Sequence, residues 1–186
     1  MTLPNGLRVI LSEDHSTPIV HVQLWYHVGS KNERPGRTGF AHLFEHMMFK
    51  GSRNVEPEAH TSIIASVGGR SNAYTTEDET VFWETVPSHY LPLVLWMEAD
   101  RMANALFREE DVESERTVIM SERRDNENSP LFWLNEELRS AAFRVHGYHH
   151  EVIGDMADLR AITRDDLYNH YRAFYLPNNA IMAVAG

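Results

Sequence analysis

The chain has 186 residues, 42% of them apolar and 24% charged, with a net charge of −10. That length supports one domain with a real core, and the acidic balance excludes a general nucleic-acid-binding surface. Cysteine is absent, which excludes disulfides and thiolate metal sites, so any zinc must be held by histidine and carboxylate. No apolar run reaches the ~18 residues a membrane-spanning helix needs.

In chain order, Met1 to Pro4, the turn Asn5-Gly6 and Leu7 to Leu11 predict a hairpin, because Asn-Gly is the preferred two-residue turn between paired strands. Ile19 to Val28 predicts a long strand, with Val20, Val22, Leu24, Tyr26 and Val28 on one face and His21, Gln23, Trp25 and His27 on the other. A half-polar sheet face accounts for those two histidines without a metal. Gly29 to Gly36 reads as a polar loop. Thr38 is then the expected N-cap of a helix ending near Gly51. Pro57 to Val67 predicts a helix stopped by Gly68-Gly69. Ser71 to Thr76 and Thr80 to Val86 predict two strands around the acidic turn Glu77-Asp78-Glu79. Helices are expected at Ser88 to Ala105, Arg108 to Asn126 and Pro130 to Phe143. Thr163 opens a last helix, with Asp166 placed for a capping box, and Ile181 to Ala185 is a terminal apolar strand. Strands at both ends with helices between them predict an α+β fold, with a mixed, largely antiparallel sheet packed against several helices.

His42-Leu43-Phe44-Glu45-His46 carries the chemistry. Histidines four apart stand one above the other on a helix, so both imidazoles reach one cation. Glu45 lies about 60° from His42 and about 100° from His46 around the same helix, where a carboxylate can serve as base to an activated water. The pattern H-x-x-E-H is the inverted zinc-protease motif. A surface helix with two solvated histidines is the simpler alternative. Against it, Phe40, Leu43, Phe44, Met47, Met48 and Phe49 make the helix apolar on most sides and therefore buried. Two histidines and a glutamate buried there without partners would cost several kcal/mol, and a shared metal removes that cost.

A hydrolytic zinc site wants three protein ligands and one open position. On the helix Arg108 to Asn126, Glu115 and Glu122 are one heptad apart, with Val118 and Ile119 between them, so two carboxylates share a stripe expected to face the core. Arg116, Arg123 and Arg124 offer the competing account of surface pairing. His60, Glu84 and His89 also remain open as ligands, whereas His149-His150 point apart as neighbours in a loop.

These residues resemble the pitrilysin/insulinase family of zinc metallopeptidases, which includes mitochondrial processing peptidase and bacterial processing proteases. The resemblance runs through Asn5-Gly6-Leu7-Arg8-Val9, Tyr26 to Glu33, Gly39 to Phe49, Gly69 with Asn72-Ala73-Tyr74-Thr75, and Tyr175-Leu176-Pro177-Asn178-Asn179. It implies His42 and His46 as ligands of one zinc ion and Glu45 as general base. It places the third ligand seventy-odd residues after the second histidine, on a helix, which selects Glu122, and it matches Glu115 to a glutamate that supports the site from behind the ligands. It implies that Asn72, Ala73 and Tyr74 lie on an edge strand that pairs with a peptide substrate. The implied activity is that of a zinc-dependent endopeptidase acting on extended peptides, and the alternative is a non-catalytic structural or substrate-holding subunit.

Family members close two similar halves around the peptide. Residues 1–186 are therefore expected to be one zinc-bearing domain, truncated before its natural end, with the second half elsewhere on the same chain or on another subunit. No signal peptide is visible, but the abrupt opening in a strand-like segment is compatible with a removed leader. A removed leader would make the protein periplasmic or secreted, and its absence would make it cytoplasmic.

Overall fold

The computed structural model describes residues 1–186. One sheet holds β1 (Arg8–Ser12), β2 (Ile19–Tyr26), β3 (Arg70–Thr75), β4 (Thr80–Pro87) and β5 (Ala180–Ala185), in the spatial order β1-β5-β2-β4-β3. β1 runs parallel to β5 and the remaining pairs are antiparallel. The helices are α1 (Phe40–Met47), α2 (Ala59–Ser66), α3 (Leu91–Asn104), α4 (Glu109–Glu127), α5 (Pro130–Ala142), α6 (Met156–Ala161) and α7 (Arg164–Phe174). This is the mixed, largely antiparallel α+β arrangement expected from the pattern of elements.

Alternation along β2 separates the two sheet faces as anticipated. Val20, Val22, Leu24 and Tyr26 are buried, while His21, Gln23 and Trp25 lie on the half-exposed face. His21 Nδ1 lies 2.7 Å from Thr85 Oγ1, so its polar neighbour is a strand threonine. The buried face joins Phe82 and Val86 of β4 to Leu43, Phe44 and Met47 of α1, Met97 of α3, Ile119 of α4 and Leu167 of α7 in one core. At about 25 cal/mol per Å² of apolar surface, each such side chain contributes roughly 1.5–3 kcal/mol. β3 closes one end of the sheet and has a partner on one side only.

The first hairpin is smaller than expected. Val9 N–H donates to Met1 O and Leu3 N–H to Leu7 O, each at 2.8 Å, with one bridge between Thr2 and Arg8. Pro4 has no N–H to extend the ladder, and the lasting partner of β1 is β5.

The start of α1 also differs. Its N-cap is Gly39, at φ +80°, not Thr38. The Thr38 hydroxyl donates to Asp158 at 2.7 Å and accepts from Asp155 N–H at 2.9 Å, tying the helix entry to α6. The free N–H groups of α1 are met by Glu33, whose carboxylate accepts from Gly39 at 2.9 Å and Ala41 at 2.7 Å. Its side chain is 0% exposed, and its burial pushes the carboxyl up to about 8 against the pull of those backbone bonds. A Cβ on Gly39 would sit 2.5 Å from Ile153 O, so glycine is required there by both backbone angle and space. The short α6, capped by Asp155 through a 2.7 Å bond from Ala157 N–H, lies in a stretch where no helix was expected, because six residues are too few to show a helical period. The capping box of Thr163 and Asp166 at the start of α7 forms as read from the sequence.

Candidate metal centre and active site

α1 packs against α4 and β3, and this contact gathers the candidate side chains. His42 Nε2 lies 3.9 Å and His46 Nε2 4.0 Å from Glu122 Oε2, and the three donor atoms all fall within 4.8 Å of one another. Two donors on a tetrahedral ion with bonds of about 2.0–2.1 Å stand roughly 3.4 Å apart, so each imidazole–carboxylate separation exceeds that spacing by only about half an ångström. The donor set, two imidazoles and a carboxylate with no thiolate, fits zinc with one position left over.

The electrostatics of the pair suit that use. Burial, with His46 beside it, pushes His42 down to about 4, so its ring is neutral with a lone pair available to donate. Burial works against a charge on His46 too, but the bond to Glu115 and the charges of Glu115, Glu45 and Glu122 outweigh it and hold its pKa above the ordinary value. His46 Nδ1 lies 2.8 Å from Glu115 Oε2. A carboxylate only accepts, so Nδ1–H is the donor, and in the neutral ring Nε2 is the bare nitrogen toward Glu122. Glu115 is in turn held below the usual carboxylate range by the His46 bond and by Lys50.

Glu45 turns toward the sheet. Its Oε2 accepts from Thr75 Oγ1 at 2.5 Å. Burial raises its pKa, and the Thr75 hydroxyl opposes that rise. Thr75 is the last residue of β3, one of three side chains with Ser71 and Ala73 that face inward, while Asn72 and Tyr74 face outward. Tyr74 meets Trp25 edge-on at 6.3 Å across the outer face. Asn72, Ala73 and Tyr74 thus occupy the unpaired edge near Glu45, and a cleft of about 510 Å³ is lined by Glu45, His46, Phe49, Ser71, Asn72 and Glu115. The resemblance gives the Thr75 side chain no role of its own, and a hydroxyl at the end of a strand carries no signal of its aim until α1 is docked.

The face of α4 needs one correction. Val112, Glu115, Ile119 and Arg123 line its buried side, whereas Val118 is 46% exposed and Glu122, with a side chain 45% exposed, stands at the margin. A spacing of 3-4-4 follows the helix more closely than a strict heptad, so the stripe passes to one side of Val118. Arg116 pairs with Glu113, and Arg123 with Glu127 and Glu136, so neither covers Glu115 or Glu122.

The other candidate ligands go elsewhere. His60 and Glu84 join Glu98 and Arg101 in a separate buried cluster: His60 Nε2 is 3.4 Å from Glu98 and 3.8 Å from Glu84, and Arg101 bonds Glu98 and approaches Glu84 at 3.5 Å. The Arg101 guanidinium already supplies the positive charge there. Burial and the neighbouring Glu98 raise Glu84 well above its ordinary pKa, while Arg101 and His60 overcome burial to hold Glu98 low. The donors of His60, Glu84 and Glu98 also lie within 4.8 Å of one another, but all three residues are buried and the Arg101 guanidinium already sits among them. His89 packs against Tyr90. His149 and His150 each point Nδ1 at a nearby backbone carbonyl.

The fold thus joins an inverted histidine-glutamate motif on a buried helix to a facing helix with two glutamates and an open strand edge, the features shared by one class of domain. The chain belongs to the insulinase family (peptidase family M16), which its sequence matches over residues 8–156. It is 34% identical to the zinc protease PqqE of Helicobacter pylori, across 100% of this chain and 42% of that protein. The crystal structure of a protease from Helicobacter pylori superposes with a TM-score of 0.96 at 34% identity, covering 99% of this chain and 45% of that one. The first half of the periplasmic protease PqqL from Escherichia coli superposes with a TM-score of 0.90 at 30% identity, covering 100% of this chain and 42% of that one. The chain thus spans less than half the length of these relatives.

Proposed function

We propose that this domain is the zinc-bearing part of a metalloendopeptidase, with His42, His46 and Glu122 as the metal ligands, Glu115 as the support of His46 and Glu45 as general base. The observation that carries this reading is the convergence of three donor atoms from two helices within 4.8 Å, with Glu45 one position before His46 and tied to the edge strand. A zinc ion held by these three side chains supplies Lewis acidity, which acidifies water and polarises a peptide carbonyl.

The chain's own residues do the rest. An extended peptide pairs its backbone with the free edge of β3 at Asn72, Ala73 and Tyr74, a mode that selects extended or unfolded segments over any one sequence. Glu45 takes a proton from water as the water oxygen bonds to the carbonyl carbon. It then delivers that proton to the amine nitrogen as the carbon–nitrogen bond breaks. Thr75 occupies Oε2 and leaves Oε1 for this transfer. We further propose that residues 1–186 are one domain of a longer protein, and that a second homologous half, on the same chain or another subunit, completes the walls around the peptide. No helix of the domain is long and apolar enough to cross a membrane, and the likeness to a periplasmic protease favours the periplasmic alternative for this chain.

The test is zinc content together with cleavage of a quenched extended peptide by the intact protein. About one zinc per chain is expected, with cleavage lost to a chelator and restored by zinc. Stoichiometric zinc without cleavage would favour the structural-subunit reading, for which Glu45 has no use. A protein that cleaves equally well after the metal is stripped would end the proposal.

A further inference from the structure

Glu115 is fixed at both ends, and Lys50 is the second anchor. The chain leaves α1 at Met47 but keeps turning, with Lys50 N–H bonded to Met47 O at 3.0 Å. Lys50 therefore stands one helical turn beyond His46, on the side facing α4. Its ammonium lies 2.7 Å from Glu115 Oε1, while Glu115 Oε2 serves His46 Nδ1 at 2.8 Å. Each Glu115 oxygen thus has its own cationic or N–H partner. The side chains of Lys50 and Glu115 are 11% and 9% exposed, so this is an enclosed contact rather than a solvated pair.

On its outer side Lys50 meets Glu58, whose own side chain is 72% exposed. Glu58 Oε1 lies 2.6 Å from Nζ. Glu58 is the one non-glycine residue with positive φ, at +61°, a region sterically disfavoured for any residue with a Cβ. Its N–H bonds Phe49 O at 3.0 Å, which pins the backbone beside Lys50. Strain of this kind persists where surrounding contacts over-determine it, and it gathers at functional sites.

We propose that Lys50 is a positioning residue for the metal centre: clamped by Glu58, it orients the Glu115 carboxylate so that His46 presents Nε2 to the cation. The inference rests on the reading of His42, His46 and Glu122 as ligands. Without Lys50, Glu115 is free to rotate away from Nδ1, and a third acidic side chain beside Glu45 and Glu122 is left uncompensated.

A competition titration against a chromophoric chelator reads zinc affinity directly in the intact protein. Lys50→Met should weaken zinc binding about tenfold or more, the scale for partners that orient a ligand, and Lys50→Arg should restore most of it. In a Glu115→Gln background, Lys50→Met should add less than about a twofold loss. A lysine that merely staples α1 to α4 would lower the unfolding midpoint and leave zinc affinity alone. Wild-type affinity in Lys50→Met, or the same fold-loss with and without Glu115, would overturn the proposal. Should Lys50→Met fail to fold, Glu58→Gln takes its place, with a smaller weakening expected and unchanged affinity counting against the clamp. His42→Ala run in parallel separates the two readings: if it loses zinc, the ligand assignment stands whatever Lys50 does. If it binds zinc like the wild type, the ligand assignment falls and this inference with it.

Discussion

Glu45 is the residue on which turnover depends in this reading, and it touches no ligand atom directly in the hydrogen-bond network. Replacing its carboxylate with an amide keeps shape and removes the proton acceptor. Glu45→Gln should therefore hold its zinc and lose at least about 10²-fold in turnover, the lower end of what general base catalysis contributes. A variant with near-normal turnover would remove Glu45 from its role. Glu122 and Glu115 differ in what they face: Glu122 Oε2 approaches both Nε2 atoms, and Glu115 approaches only the far nitrogen of His46. Glu122→Ala should weaken zinc further than Glu115→Ala, whose effect should fall in the roughly 10–100-fold range of supporting partners. Metal titration giving the opposite order would exchange their assignments.

At the scale of elements, the site is a contact between α1, α4 and β3, and each presents its side chains by its own period. α1 supplies three residues from little more than one turn. α4 supplies two from turns that straddle Ile119. β3 supplies every second residue, so Thr75 points at Glu45 while Tyr74 points away. Thr75→Val keeps the β-branched shape and deletes the hydroxyl. The hydroxyl lowers the Glu45 pKa against a larger rise from burial, so its loss moves that pKa up. Because the base works ionised, the acid limb of kcat/KM should shift to higher pH. An unshifted limb in a folded Thr75→Val enzyme would show that the hydroxyl does not act on Glu45. Glu33 illustrates the same dependence from the other direction: a loop residue outside the helix supplies the acceptors that the first turn of α1 lacks.

For the molecule as a whole, the cluster of His60, Glu84, Glu98 and Arg101 joins α2, β4 and α3. Arg101 also lies over the Phe82 ring at 4.2 Å. Removing its charge leaves Glu98 buried without compensation, which costs about 3–5 kcal/mol for a broken interior pair. Arg101→Met should lower stability by that order in urea unfolding, and a loss under about 1 kcal/mol would show that water or a rearrangement had replaced the guanidinium. The Glu98→Gln, Arg101→Met double variant should recover part of the loss, since no lone charge then remains.

Much of this molecule was written in local pattern. The alternation in β2, the period of α4, the Thr163 capping box and the pair His42/His46 all rest on neighbours a few residues apart, and local geometry alone brings those side chains to one face. The resemblance to the insulinase family then singled out Glu122 and Glu115. What local pattern could not carry was any choice between distant partners. Nothing in the residues themselves separates Glu122 from Glu84 or His60 as company for the two imidazoles, and nothing makes Glu33 rather than Thr38 the cap of α1. Lys50, Thr75 and the parallel seat of β1 beside β5 belong to the same class. Such choices are made by packing of elements far apart in the chain, where a rotation of one helix by a fraction of a turn decides which carboxylate meets a histidine and which meets an arginine.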